Sequence, residues 1–331
     1  MKISLLSFFL ILTFLFTGIN CKAPRNNPSD PLNPDYNFGS IEGFVQSIGF
    51  PSEGISNVKV LWLNDNLIAE TDTFGRFRIT GIPIKDGSII FSKEGYKSDT
   101  LEVVWGTSKG FYTQVFFNLI PTLDTVFIYT TLIGQSGLPP LSTLSVKAWI
   151  TDLDDDVDTV FVVNSDLSLK KPLVFSEAEN YFQTTITESE MGNINIEETI
   201  GLDFDIVAKD KFQNLFNLGE ERITRVIKEE MTGLFPSGDS TIDRDSQPVV
   251  LFWDEFTGGY SCYYMIEIYK RDLLSSQLIH TVNNIESGTT SYTLPFNLQD
   301  GDYFWTIWVI DTFQNRSRSR PVLFQIGKIQ P

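Results

Sequence analysis

Almost every ordered stretch of this chain is short, apolar on alternate residues, and bounded by Gly, Asn, Asp or Pro. Such punctuation is incompatible with long helices and suits strands of about four to eight residues. Leu144, Val146, Ala148 and Ile150 illustrate it: every second residue is apolar, so one face of the segment is buried. The best helical candidate is 220–231, where Ile223, Val226, Ile227 and Met231 fit helical spacing. Ile223 and Ile227 share one face of a strand equally well, so periodicity leaves both readings open. The expected fold class is all-β. With 331 residues the chain is long enough for two or three domains, and 42 % apolar residues supply their cores.

Charge and rare residues narrow the chemistry. Asp and Glu number 42 against 25 Lys and Arg, a formal charge of −17. A chain this acidic repels phosphate backbones, so nucleic acid is excluded as a partner. One histidine, His280, and two cysteines, Cys21 and Cys262, exclude zinc fingers, His-rich metal centres and a multi-disulfide scaffold.

The N-terminus reads as an address. Lys2 precedes an uncharged run, residues 3–19, and small residues close it, the grammar of an export signal. Gly18-Ile19-Asn20-Cys21 resembles a bacterial lipobox, with Asn20 where Gly or Ala is usual and Gly18 where Leu is usual. The resemblance implies lipidation of Cys21. The alternative is cleavage around Cys21-Lys22-Ala23 and release of a soluble protein. Residues 22–38 favour the anchor. Four prolines and four asparagines in that stretch cannot build a core and read as an extended spacer. With Cys21 lipidated, Cys262 has no partner and reads as a small, partly buried strand residue.

Three β-units follow. The first, 39–120, offers seven strands: SIEGFVQ, NVKVLWL, NLIAET, GRFRIT, SIIFSK, SDTLEVVW and TQVFFNL. Between the third and fourth, Thr71-Asp72-Thr73-Phe74-Gly75 is turn chemistry and predicts a hairpin. Gly43, Val45, Gly54, Val58, Val60, Thr71-Asp72, Gly75, Phe77, Ile79, Gly81, Pro83, Gly87 and Gly95-Tyr96 together resemble a carboxypeptidase regulatory-like domain. That resemblance implies a transthyretin-like sandwich that supports neighbouring domains and has no catalysis of its own. The second unit, 121–231, is similar to a generic Ig-like sandwich without the inter-sheet cysteine pair. The third, 247–331, follows the loop-like stretch 232–246. Leu251-x-Trp253, Tyr292-x-Leu294, Leu298, Gly301 and Tyr303 resemble a fibronectin type III domain. The resemblance places Tyr303 as a corner tyrosine bonding to upstream backbone. An internal echo links the last two units: IVAKDKFQN at 206–214 and VIDTFQN at 309–315 both end in Asp-x-Phe-Gln-Asn. By this parallel ERITRVIK is a closing strand, not a helix.

Few residues suggest chemistry. Asp152, Asp154, Asp155, Asp156 and Asp158 crowd one turn, and Ca²⁺ is the usual relief for such repulsion because it takes six to eight oxygens. The loop is no EF-hand: Val157 and Val163 fill its Gly and Glu places. We take Asp152, Asp154, Asp156 and Asp158 as the candidate calcium ligands, the alternative being a solvated acidic turn. On DYFWTIWVID, Phe304 and Trp308 share the face opposite Tyr303, Trp305, Ile307 and Val309, and are candidate binding aromatics if that face is exposed. His280 has no Gly-x-Ser-x-Gly motif beside it, and no pair of carboxylates stands out, so no catalytic residue is named.

The expectation is therefore three tandem β-sandwich domains, 39–120, 121–231 and 247–331, joined by a 232–246 linker, after a 1–20 signal segment and a disordered 21–38 tether. The expected role is a non-catalytic cell-envelope lipoprotein that presents its sandwiches to a protein or glycan. The partners expected are a membrane through the lipid anchor and one unidentified ligand. A structural spacer within an envelope assembly is the second reading, and a glycan-acting enzyme the third.

Overall fold

The computed structural model describes residues 27, 30, 33, 35–49, 51–238 and 240–329. The signal segment, Cys21 and much of the tether lie outside the described residues. The chain divides into two compact units that part between Ile120 and Pro121. Among the described residues there are three short 3-10 turns, no α-helix, and no helix long and apolar enough to cross a membrane.

The first unit has seven strands: β1 (Phe38–Ser47), β2 (Lys59–Trp62), β3 (Leu67–Glu70), β4 (Arg76–Pro83), β5 (Gly87–Ser92), β6 (Asp99–Val103) and β7 (Gly110–Phe117). They form two sheets, β4-β1-β7 and β3-β2-β5-β6, with β1 and β7 parallel. Alternation on each strand sends Ile41, Val45, Val60, Trp62, Phe77, Ile79, Ile89 and Phe91 into one core. The seven predicted strands are present, but the predicted β3–β4 hairpin is not. The turn itself forms: Asp72 Oδ1 accepts from the Phe74 and Arg76 amides, and Gly75 takes φ 76°. The chain then crosses from one sheet to the other. Thr71 is buried and its hydroxyl donates to Ile55 O while accepting from Val58 N, which holds that end of the chain beside β2. Gly75 O accepts from Val45 N and brings β4 to β1.

In the second unit β8 (Thr122–Gln135), β9 (Leu138–Thr151), β10 (Val157–Asn164), β11 (Leu169–Ser176), β12 (Tyr181–Thr187), β13 (Asp203–Asp210) and β14 (Leu215–Arg222) come first. Their ladder runs β14-β13-β10-β11-β12-β9-β8. The inward set of Leu144, Val146, Ala148, Val160, Val162, Phe204 and Ile206 is one core cluster, as the β9 alternation predicts. The remaining strands are β15 (Ser240–Asp243), β16 (Val250–Phe252), β17 (Cys262–Arg271), β18 (Ser276–Glu286), β19 (Ser291–Thr293), β20 (Gly301–Asp311), β21 (Arg316–Arg318) and β22 (Val322–Gly327). Here a β16–β19 pair faces a larger sheet built on β20, β17, β18 and β22. Trp253, Tyr264, Tyr303, Trp305, Ile307 and Phe324 fill the space between them. Tyr303 OH donates to Gln299 O at 2.9 Å, the back-bond expected of a corner tyrosine.

Two features differ from the expectation. First, the two halves of this unit share one continuous sheet, because β21 pairs in parallel with β8 (Ser317 opposite Leu132). The stretch 232–246 is part of the fold: β15 pairs with β22, and Pro236 O accepts from the buried Trp305 indole at 3.0 Å. Second, the closing strand after the first Asp-x-Phe-Gln-Asn turn is β14, ending at Arg222, and 223–231 carries neither helix nor strand. That segment is held by side chains. Ile223 and Val226 enter the core under β9, whereas Ile227 and Met231 enter the core around Trp253. A helix would aim these four residues along one stripe and could not serve two cores.

Candidate functional site

The acidic turn joins β9 to β10. Asp155 takes φ 53°, and the reversal places one carboxylate oxygen from each of Asp152, Asp154 and Asp156 within 4.8 Å of one another. Asp156 is 4 % exposed. Asp152 Oδ2 accepts from Val157 N at 2.8 Å, while its Oδ1 is buried without a hydrogen-bond partner. An all-oxygen set of this kind matches a hard cation, Ca²⁺ before any softer metal. Asp158, the fourth predicted ligand, is not part of the cluster. It is exposed and paired with Lys209 at 3.0 Å, and hydrogen bonding from Lys209, then Thr159, holds its carboxyl below the usual range. Lys211 also approaches, its Nζ donating to Asp155 O and its amide to Asp156 O. The two lysines therefore lie along the outer side of the turn, at the Asp158 carboxylate and at the carbonyls of Asp155 and Asp156.

Phe304 and Trp308 do lie on one face of β20, and that face is half-buried by its own neighbours. Phe304 stacks on Tyr269, ring centroids 4.6 Å apart. The Trp308 indole donates to Glu267 at 2.9 Å, and Arg318 lies over its ring. His280 sits on β18 with its ring edge-on to Phe296. Cys262 opens β17, and burial pushes its thiol up, so it is a poor nucleophile.

The sequence reading passed over the outward face of β8, β9 and β12. Opposite the buried residues of β9 stand Ser145, Lys147 and Trp149, and opposite those of β8 stands Phe127. Trp149 bridges Phe127 and Tyr181, with ring centroids 5.6 and 4.7 Å away. The signal was present: the alternation that buries Ala148 also turns Trp149 outward, where an aromatic needs an explanation.

No protein-family model and no curated protein matches the chain. Solved structures similar to it are β-rich. The FN1–FN3 domains of chicken CNTN1 align over 84 % of this chain and 93 % of theirs, at 10 % identity and a TM-score of 0.35. BcpA, the major pilin subunit of Bacillus cereus, aligns over 88 % and 98 %, at 10 % identity and a TM-score of 0.25. Fibronectin(III)-like modules of Clostridium thermocellum CbhA align over 64 % and 95 %, at 12 % identity and a TM-score of 0.28. These scores are low, and the all-β assignment stands on the strand pairing of the chain itself.

Proposed function

We propose that the chain is a non-catalytic cell-envelope lipoprotein, tethered through Cys21, that presents rigid β-sandwich domains to a partner. The observation that carries this reading is the seam between β8 and β21. Two sandwiches sharing one ladder act as a single stiff body, which is what a presenting scaffold needs. The Gly43, Gly54 and Gly75 constellation supports the carboxypeptidase regulatory-like reading of the first unit, and the Tyr303 back-bond supports the fibronectin type III-like reading of the last. Asp152, Asp154 and Asp156 would hold a Ca²⁺ ion, whose role is to stiffen the β9–β10 turn. The same seam favours a spacer role as the second reading.

Intact mass and detergent partitioning of the native protein, beside Cys21→Ala, test the anchor. A diacyl or triacyl mass gain that the variant loses together with detergent partitioning is the expected result. A lipid-free mature chain starting between Asn20 and Pro24 overturns the anchor and leaves a secreted protein.

A further inference from the structure

Beside the seam, within the second unit, a groove of about 490 Å³ opens on the outward face of β8 and β9. That volume lies inside the range of about 300–1,000 Å³ typical of small-ligand sites. Phe127 and Trp149 form its aromatic wall, Phe313 of the β20–β21 turn closes one side, and Glu221 at the end of β14 faces them. Phe127 is 47 % and Phe313 49 % exposed, so each ring keeps surface at the mouth of the groove beyond its contact with Trp149 or Arg225.

The charges point to the ligand. Lys147 and Arg316 both line the groove, and neither is ion-paired among the described residues. Each instead lies over a ring, Lys147 over Tyr181 at 4.8 Å and Arg316 over Tyr129 at 4.6 Å. Arg316 Nε also donates to Gln314 O at 3.3 Å, and no carboxylate neutralises either charge among the described residues; two such cations on a chain of charge −17 suit a carboxylate ligand. The Trp149 indole N–H makes no hydrogen bond among the described residues and is a free donor, while Glu221 supplies an acceptor. A ligand that answers all of these has an apolar ring face, a carboxylate and hydroxyls. β9 is paired on both edges, but β21 closes the outer edge of β8 only over Thr131–Ile133, so a peptide strand along the rest of β8 is the competing occupant, which the peptide comparison below tests.

We propose that this groove binds an acidic oligosaccharide, one uronic acid ring resting on the Phe127–Trp149 wall with its carboxylate in the field of Lys147 and Arg316. This names the ligand class for the presenting scaffold proposed above and rests on that reading.

Calorimetric titration of the whole chain with trigalacturonate, an alginate trimer and a hyaluronate tetrasaccharide tests it. Fully methyl-esterified trigalacturonate and a tri-glutamate peptide serve as comparisons. At least one uronate binds, and esterification weakens it by about fivefold or more, as does Lys147→Gln. Trp149→Ala weakens it about tenfold. Raised salt erases the Lys147→Gln difference. Thermal melts of both exposed-face variants confirm folding, and Phe127→Ala replaces Trp149→Ala if the latter does not fold. No uronate binding, equal binding of the ester, variants that bind like the parent, or displacement by the peptide each overturn the proposal. The anchor is read separately by mass, so failure here with lipid on Cys21 leaves the scaffold reading standing.

Discussion

Asp154 is half-buried in a turn where two other carboxylates lie within 4.8 Å of its own group. At that spacing like charges raise the energy of the folded state unless a cation intervenes. The substitution Asp154→Asn therefore has opposite consequences in two media. In chelator it removes repulsion, and the variant melts at or above the parent temperature. In millimolar Ca²⁺ the parent gains about 1 kcal/mol, or about 2–4 °C, as expected for a weak extracellular-type site, and the variant does not. Calorimetric melts of both proteins in both media check this, and a parent indifferent to Ca²⁺ sinks the cation assignment. The sequence placed the four acids together but could not rank them. Only the approach of β13's Lys209 shows that Asp158 is already answered.

At the level of elements, the repeated Asp-x-Phe-Gln-Asn segment forms the same turn twice. Asp210 Oδ1 accepts from Asn214 N at 2.7 Å, and Asp311 Oδ1 accepts from Asn315 N at 2.9 Å. Gln213 and Gln314 take φ of 68° and 69°. Both aspartates have no exposed surface. The second copy has an added task. Asn315 Oδ1 accepts from both the amide and the hydroxyl of Thr130, at 2.9 and 3.0 Å, and so starts the β21–β8 seam. Asp311 also holds Asn315 Nδ2 at 3.1 Å and Arg225 at 3.4 Å. Asp311→Ala strands these donors and costs about 2–4 kcal/mol, read as a lowered denaturation midpoint of the second unit. A loss under about 1 kcal/mol would mean the turn holds without its carboxylate. The echo was legible because a turn needs specific side chains at fixed offsets. Its use as a seam was not, since Thr130 is far away in sequence.

Across the whole molecule, two compact units predict two unfolding events. Gly43 runs beside β7 so closely that an added Cβ would lie 1.8 Å from Thr113 O. Gly43→Ala therefore forces β1 and β7 apart at a cost of about 2–3 kcal/mol. In a calorimetric scan it lowers one transition by about 10 °C or more and leaves the other in place. A single transition that shifts as a whole would show that the units melt together. The second and third sandwiches, sharing a sheet, are expected to melt as one, so a third independent transition would argue against the seam.

Local pattern was enough to determine the all-β class, the seven strands of the first unit and the inward faces of β9 and β20, whereas the back-bond of Tyr303 was expected only from the family resemblance. Class, strands and inward faces depend on residue spacing within a strand or on turn chemistry, and both are written in consecutive residues. Tertiary structure alone decided that β3 and β4 part into different sheets, that 223–231 feeds two cores, that 232–246 is woven into the fold, and that Phe127, Trp149, Lys147 and Arg316 surround one groove. Those outcomes depend on which strands meet across long separations. Backbone pairing is chemically the same for every strand, so the choice of partner is set by the packing of the assembled cores and carries no local signature.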